Sequence, residues 1–137
     1  MRPFPLIARS PEPAAPILAA LTDIRGTPLD HIERLLELTV GYCGLRWNVI
    51  RSSSLDVPAE IRGQDRIIEI ARRLGAKRYV NAPGGRDLYD AETFGQAGIE
   101  LRFLADYTGP KASILARMLR DDRHELAEDI KASTVMG

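Results

Sequence analysis

The stretch GQDRIIEIARRLGAKRYVNAPGGRDLYD (63–90), continued by AETFGQAGIELRF (91–103), decides the fold of this chain. Its first residues place apolar side chains every three or four positions, which is typical of one face of a helix. A glycine and the short run Lys77–Val80 follow, and that run predicts a strand. After a glycine-rich loop the order repeats, with a short helix, Gly98 as its stop and a strand at Ile99–Leu104.

The same order of helix, glycine and strand is found earlier in the chain. Thr27 and Pro28 predict a helix start, because threonine caps helices and proline is favoured at their first position. Gly44 predicts the end of that helix, and Leu45–Ile50 is predicted as a strand. Short strands that alternate with helices predict right-handed crossovers. The fold expected is therefore α/β, with a small parallel, Rossmann-like sheet of three or four strands.

The domain organisation follows from these elements and from the flanking composition. A length of 137 residues suits a single domain with one hydrophobic core. We expect a proline-rich extended arm over residues 1–16, with a short strand at Phe4–Ala8, and an α/β core over residues 17–107. Residues 108–137 are expected to form a helical tail that covers the sheet or contacts a partner.

Composition excludes several classes of protein. The chain has 19 basic and 19 acidic residues, so its net charge of zero argues against binding to nucleic acid. A lone cysteine and two histidines give neither a disulfide nor a metal-ligand spacing, and the sequence contains no cofactor motif. No run of about 20 apolar residues that would span a membrane is present. We therefore expect a cytoplasmic protein without metal or cofactor.

A ligand site is predicted where the strands end. In a parallel sheet, ligands bind at the carboxyl ends of the strands, and the loops that follow the three predicted strands are all polar. These loops are Arg51–Ser54, Asn81–Tyr89 and Ala105–Tyr107. The helix start at Arg62–Arg66 is expected at the same edge, since that helix begins near the end of the preceding strand.

The glycine-rich loop predicts a binding surface for an anion. Gly84 and Gly85 allow a positive φ and a close approach of backbone N–H groups to a ligand. Tyr89, at the end of the loop, has a ring that stacks on a base or a sugar. The run Pro83–Gly85 is also compatible with a plain turn, since the loop matches no glycine fingerprint for nucleotides.

Arginine and serine side chains at the same edge add donors to this site. Arginine binds phosphate or carboxylate groups through two parallel hydrogen bonds, and three arginines are placed here, Arg62, Arg66 and Arg86. The hydroxyls of Ser53 and Ser54 follow the first predicted strand. Structural roles are the alternative for each group: serines solvate strand ends and cap helices, and an acid in a first helical turn pairs with a surface arginine.

The spacing of these motifs resembles that of the WbqC-like family. The resemblance covers residues 45–119 and rests on six short runs. They are Ser53-Ser54-Leu55, Gly63-x-Asp65-Arg66-Ile67-Ile68-x-Ile70, Leu74-Gly75-Ala76-x-x-Tyr79, Gly84-Gly85-x-x-Leu88-Tyr89, Phe94-x-x-x-Gly98-Ile99-x-Leu101-x-Phe103 and Ser113-Ile114-Leu115.

The resemblance implies a transferase of bacterial surface-polysaccharide (O-antigen) biosynthesis. The implied reaction moves an acyl or aminoacyl group, such as glycine, onto a nucleotide-linked amino sugar. Asp65 and Arg66 are then the catalytic residues, with Asp65 orienting Arg66 or accepting a proton. The other positions that match the family's motifs are Ser53, Ser54, Gly63, Tyr79, Gly84, Gly85 and Tyr89. Together with residues from the loops and the helix start, the predicted ligand-binding set is Ser53, Ser54, Arg62, Gly63, Asn81, Gly84, Gly85, Arg86 and Tyr89.

One departure from the family leads to an alternative function. Family members are longer and begin with a histidine-containing segment, whereas Arg2–Pro5 of this chain contains no histidine. This difference predicts a chain that binds the ligand only, or one that needs a partner chain. The alternative is a non-enzymatic interaction module, in which helices at residues 28–43 and 111–133 dock a partner or a second copy of the chain.

Overall fold

The structure, a computed structural model, describes residues 11–134. Its internal contacts divide the chain into two compact units. The first, here called the helical unit, contains the described residues up to Asn48 together with Gly109–Ser133. The second, the α/β unit, contains Val49–Thr108. The single-domain organisation expected from the sequence stays a prediction.

Helices and short strands alternate along the described chain. In order they are α1 (Ala15–Thr22), α2 (Pro28–Tyr42), α3 (Gly63–Arg73), β1 (Arg78–Asn81), α4 (Ala91–Gln96), β2 (Glu100–Phe103), α5 (Ile114–Met118) and α6 (Arg123–Ser133). Short 3₁₀-helices lie at Glu12–Ala14, Ser52–Leu55 and Pro83–Leu88.

Local sequence signals set the ends of these helices. Thr27 caps α2 as predicted, since its hydroxyl accepts from the Asp30 N–H at 3.2 Å while its own N–H donates to the Asp30 carboxylate at 2.9 Å. The glycines predicted to follow helices have φ of 65° at Gly44, 64° at Gly75 and 73° at Gly98. A side chain at these positions would strain the backbone, which is why glycine ends each helix there.

The helical unit packs α1, α2, α5 and α6 around one core. The side chains that form this core are Ala14, Ile17, Tyr42, Cys43, Met118, Leu119 and Leu126. The Tyr42 hydroxyl donates to the Met118 carbonyl at 3.1 Å and so fixes α2 against α5. The tail helices therefore share a core with the first two helices of the chain.

A buried arginine also stabilises the helical unit. The Arg117 guanidinium donates to the carboxylates of Asp121 at 2.7 Å and Asp129 at 2.5 Å. These hydrogen bonds raise the pKa of Arg117 above its ordinary value. A buried charge with two carboxylate partners holds α5 and α6 in one arrangement, because removing either partner would leave charge uncompensated.

The α/β unit is built around a parallel pair of strands. β1 pairs with β2 over the register Arg78–Glu100 to Asn81–Phe103. The chain crosses from one strand to the other through α4, as parallel pairing requires. The buried core of the unit is formed by Ile68, Ala71, Phe94 and Ile99. The predicted mixture of helix and parallel strand is confirmed.

The sheet is smaller than the sequence predicted. The strand predicted at Leu45–Ile50 is wrong: that segment is irregular, and the described residues form two paired strands rather than three or four. The Leu45 N–H donates to the Val40 carbonyl at 3.0 Å, which closes α2, and its side chain packs on the core of the helical unit. Apolar alternation indicates a strand only when a ladder partner exists, and the described chain provides none for this segment. The Rossmann-like arrangement is accordingly not confirmed.

The start of the chain also differs from the expectation. A 3₁₀-helix at Glu12–Ala14 leads directly into α1, where an extended arm was predicted up to residue 16. Proline is compatible with this, because it is favoured in the first turn of a helix. The strand predicted at Phe4–Ala8 lies outside the described residues.

Candidate functional site

A cleft of about 600 Å³ opens beside α3 in the α/β unit. α3 provides one wall through residues three and four positions apart, Asp65, Ile68, Glu69 and Arg72. The turn before α3 and the end of α4 complete the lining with Glu60, Ile61, Arg62, Thr93, Gln96 and Ala97. Most of these side chains are polar or charged, which suits a polar small molecule.

The charges that line the cleft are of both signs. Glu69 forms an ion pair with Arg73 at 2.7 Å. Within residues 11–134, the side chains of Arg62, Arg72, Asp65 and Glu60 form no hydrogen bond or ion pair. Two guanidinium groups and two carboxylates in one cleft are therefore available to a ligand.

Arg66 holds the turn that forms one side of the cleft. Its Nη1 donates to the Pro58 carbonyl at 3.0 Å and lies 3.4 Å from the carbonyl oxygens of Val57 and Ile61. The side chain is half-buried and does not line the cleft. The structure thus places Arg66 against backbone oxygens, and Asp65 does not bond to it.

Gln64 connects α3 to the opposite side of the cleft. Its Oε1 accepts the Asp90 N–H at 3.0 Å. Asp90 is the N-cap of α4, and its carboxylate accepts from the Thr93 N–H at 2.8 Å and the Thr93 hydroxyl at 2.5 Å. These hydrogen bonds lower the pKa of Asp90, chiefly through the Thr93 hydroxyl. The start of α4 is therefore fixed to the start of α3.

The predicted glycine-rich loop has a different conformation from the one expected. Pro83–Leu88 forms a 3₁₀-helix, and neither Gly84 nor Gly85 has a positive φ, so the positive φ expected for them is wrong. The binding of an anion by this loop stays a prediction. Gly85 is buried because Asn81 lies over it: an added Cβ would come 2.5 Å from Asn81 Nδ2. The Asn81 Oδ1 is held in turn by the Ala82 N–H at 2.8 Å. Close packing, not backbone conformation, accounts for glycine at position 85.

Tyr89 is part of an aromatic cluster. Its ring lies edge-on to Tyr79 and Phe94, with centroid distances of 5.7 and 5.9 Å, and Tyr79 stacks on Phe94 at 5.6 Å. Burial, together with a hydrogen bond to Tyr89, raises the pKa of Tyr79 to about 12. Tyr79 therefore stays uncharged at neutral pH. Tyr89 packs inside the unit rather than lining the cleft.

Two other groups of predicted residues lie away from the cleft lining. The Arg86 guanidinium is stacked 4.9 Å from the ring centroid of Phe103, at the end of β2. Ser53 and Ser54 lie in the 3₁₀-helix Ser52–Leu55, where the Ser54 hydroxyl donates to the Arg51 carbonyl at 2.8 Å. Arg73, in the last turn of α3, donates to the Leu55 carbonyl and holds this short helix beside α3.

The structure therefore brings together only part of the predicted set. Arg62 and Asp65 line the cleft, and Gly63, with a φ of 56°, begins the helix between them. The cleft residues that sequence reasoning missed are Glu60, Ile61, Ile68, Glu69, Arg72, Thr93, Gln96 and Ala97. The sequence did contain a signal for Glu69 and Arg72, because helical spacing alone places them on the same face of α3 as Asp65.

Comparison with models of known protein families identifies the family of this chain. The profile of the WbqC-like protein family matches residues 12–111. The chain belongs to this family. The match begins at residue 12, before α1, whereas the resemblance read from the sequence begins at residue 45. It ends at residue 111, before the run Ser113–Leu115. Comparison with curated proteins and with solved structures gave no match.

Two further findings concern residues 11–134. No three His, Cys, Asp or Glu side chains in this range are grouped so that they could hold a metal ion. No helix in this range has both the length and the apolar character needed to cross a membrane.

The packing of Asn81 over Gly85 predicts that Gly85→Ala destabilises the chain. The new Cβ would meet Asn81 Nδ2 at 2.5 Å and Tyr89 Cε2 at 3.3 Å. We expect the free energy of unfolding, measured by urea denaturation, to fall by about 1–3 kcal/mol. Gly84→Ala is the matched control, because nothing lies within 4 Å of a Cβ there, and it should change stability by less than about 0.5 kcal/mol.

Asn81→Ala identifies the cause of that loss. In the Gly85→Ala background it removes the obstructing amide, so the double variant should lose less stability than the two single losses added together. Strictly additive losses would show that Asn81 is not the obstacle.

The depressed pKa of Asp90 predicts a pH-dependent contribution to stability. A carboxyl group whose pKa is lower in the folded state stabilises the fold above its unfolded pKa of about 4, and this contribution is lost as the pH falls through the folded value. Asp90→Asn should therefore lower the melting temperature at pH 7, and the gap to the wild type should narrow in acid. Asp87→Asn, at an exposed position, is the control. A gap that stays constant from pH 7 to strongly acidic pH would contradict the prediction.

Proposed function

We propose that this WbqC-like chain binds a nucleotide-linked amino sugar in its cleft and transfers an acyl or aminoacyl group to it, in the cytoplasmic part of surface-polysaccharide biosynthesis. The observation that carries the proposal is the cleft, where two arginines and two carboxylates have no partner within residues 11–134. Family membership supports the class of reaction.

The arginines would bind the phosphate groups of such a substrate. Arg62 and Arg72 lie at the two ends of the α3 wall, and ten residues of helix separate them by about 15 Å. Each guanidinium offers a planar pair of donors that fits phosphate oxygens. The Arg62 side chain does not cap α3, so the N–H groups of its first turn add further donors beside it.

Asp65 would accept the proton that the reaction releases. The sugar amine nitrogen attacks the acyl carbonyl carbon, a C–N bond forms, and the bond between that carbon and its carrier breaks. The nitrogen must lose a proton in this step, and a carboxylate within hydrogen-bond reach is a suitable acceptor. Asp65 lines the cleft one turn from Arg62 and makes no competing contact within the described residues.

The glycine-rich loop has a supporting role in this proposal. Asn81 packs over Gly85, the Tyr89 ring lies 3.3 Å from where a Cβ at position 85 would be, and that ring lies against Phe94 of α4. This series of contacts fixes α4, whose last residues form one side of the cleft. The loop would then set the shape of the site without touching the substrate.

Calorimetric titration with nucleoside diphosphate-linked amino sugars tests the proposal. Arg62→Ala and Arg72→Ala should each weaken binding by about 10- to 100-fold, because each loses hydrogen bonds to a charged group. Arg86→Ala is the matched control, since it also removes an exposed arginine of the same unit but lies outside the cleft.

The loss of binding in each variant shows whether the ligand binds in the cleft or at the glycine-rich loop. Loss of binding in Arg86→Ala alone would place the ligand at the glycine-rich loop instead of the cleft. A wild-type chain that binds no member of the substrate panel would contradict the proposal as a whole.

The second candidate function is self-association through α2. Leu29, Ile32 and Leu36 share one face of α2 and are 48%, 53% and 48% exposed. A contiguous exposed apolar patch is typical of an interaction surface. Met118, which sequence reasoning placed in the docking helices, is 0% exposed and belongs to the core.

Light scattering on Ile32→Glu tests this candidate. We propose that a second copy of the chain covers the stripe, so the wild type should be a dimer and the variant a monomer, because a charge would be buried at the contact. Leu88→Glu, at another strongly exposed apolar position, is the control. A monomeric wild type at concentrations near 100 μM would rule out stable self-association.

A further inference from the structure

The first turn of α3 carries two sets of side chains with different surroundings. Arg62 and Asp65 line the cleft and have no partner within the described residues. Gln64 and Arg66 lie outside the lining and bond to other parts of the α/β unit. Within the five residues from 62 to 66, the side chains that are available to a ligand therefore alternate with the side chains that bond to the protein.

Arg66 determines where the turn before α3 lies. The turn from Val57 to Ile61 is closed by a single backbone hydrogen bond, from the Ile61 N–H to the Pro58 carbonyl at 3.2 Å. The Arg66 guanidinium reaches three carbonyl oxygens of the same turn, the nearest at 3.0 Å. A charged donor forms stronger hydrogen bonds than a neutral one. Glu60, Ile61 and Arg62 on that side of the cleft thus depend on Arg66 for their position.

Gln64 determines the position of the opposite side. Its amide oxygen takes the Asp90 N–H, and the Asp90 carboxylate caps α4 through Thr93. α4 has only six residues and cannot hold itself in place through its own hydrogen bonds. The burial of Phe94 attaches α4 to the core, and Gln64 adds a link that fixes the start of α4, with Asp90 and Thr93, relative to α3.

We infer that Gln64 and Arg66 are positioning residues that hold the two sides of the cleft at a fixed separation from α3, and that Arg66 does not contact the substrate. The inference rests on the proposed function only in taking the cleft as the ligand site. Binding is tighter when the site is already ordered in the free protein, because less freedom is lost when the ligand binds.

Amide hydrogen exchange measured by NMR on the unliganded chain tests the inference directly. In Arg66→Ala the Ile61 amide should exchange at least about tenfold faster, while the Thr93 amide keeps its wild-type rate. In Gln64→Leu the Thr93 amide should exchange faster, while the Ile61 amide keeps its wild-type exchange rate. Neither reporter N–H bonds to the substituted side chain, because the Ile61 N–H donates to the Pro58 carbonyl and the Thr93 N–H to the Asp90 carboxylate. Each amide therefore reports on its side of the cleft. Arg66→Lys, which retains a donor for the carbonyls, should restore part of the Ile61 protection.

Calorimetry separates positioning from direct contact. A direct phosphate ligand gives binding that weakens with salt, and removing it reduces that dependence. Arg66→Ala should weaken binding of a nucleoside diphosphate-linked amino sugar while keeping the salt dependence of the wild type. Arg72→Ala is the matched control, which should weaken binding with a reduced salt dependence and leave both amide rates unchanged.

Any of three results would overturn the inference. Unchanged Ile61 exchange in Arg66→Ala, or unchanged Thr93 exchange in Gln64→Leu, would show that the side chain holds nothing in place. A reduced salt dependence in Arg66→Ala would make Arg66 a phosphate ligand. If the wild type binds no probe, the proposed function fails, and the exchange rates alone decide whether the two residues position the cleft.

Discussion

The α/β unit depends on the burial of one aromatic side chain, Phe94, which is 0% exposed. A parallel strand pair requires a crossover, and the crossover helix here has six residues, too few to be stable in isolation. The Phe94 ring stacks on Tyr79 of β1 and meets Tyr89 edge-on. Strand, loop and helix are thereby joined at one hydrophobic point, and the side of the cleft formed by α4 is fixed through the same contact.

The contacts of the arginines separate those that build the fold from those that are available to a ligand. Arg117 bonds two carboxylates, Arg123 donates to backbone carbonyls at the end of α2, and Arg66 donates to the turn before α3. Arg62 and Arg72 have no such contact within residues 11–134, and both line the cleft. A sequence presents all these arginines as equivalent basic residues. Their roles become distinct only when the acceptors around each guanidinium are known.

Most helix ends could be predicted from the sequence, because caps and stops such as Thr27 and Gly98 act through neighbouring residues. The strands β1 and β2 were predicted from their own short runs, whereas the size of the sheet was not. The segment Leu45–Ile50 failed because a strand needs a partner that no local pattern supplies. At the site, Arg62 and Asp65 were predicted from their place beside a helix start, whereas the contribution of α4 depended on how the crossover helix packs. What could be predicted from the sequence was therefore limited by three-dimensional packing, not by residue chemistry.

The first turn of α3 has a consequence for how this chain tolerates changes in length. Successive helical residues point about 100° apart, so each residue of this turn has its direction fixed by its position in the count. Because Ile68 and Ala71 hold the rest of α3 in the core, deleting or inserting one residue between Arg66 and Ile68 would rotate the set, turning bracing side chains toward the cleft and cleft-lining ones toward the protein. Substitution alters one side chain, whereas a shift in register exchanges the roles of the whole turn. The number of residues between Arg62 and the core residue Ile68 is therefore under tighter physical constraint than the identity of any one residue of this turn.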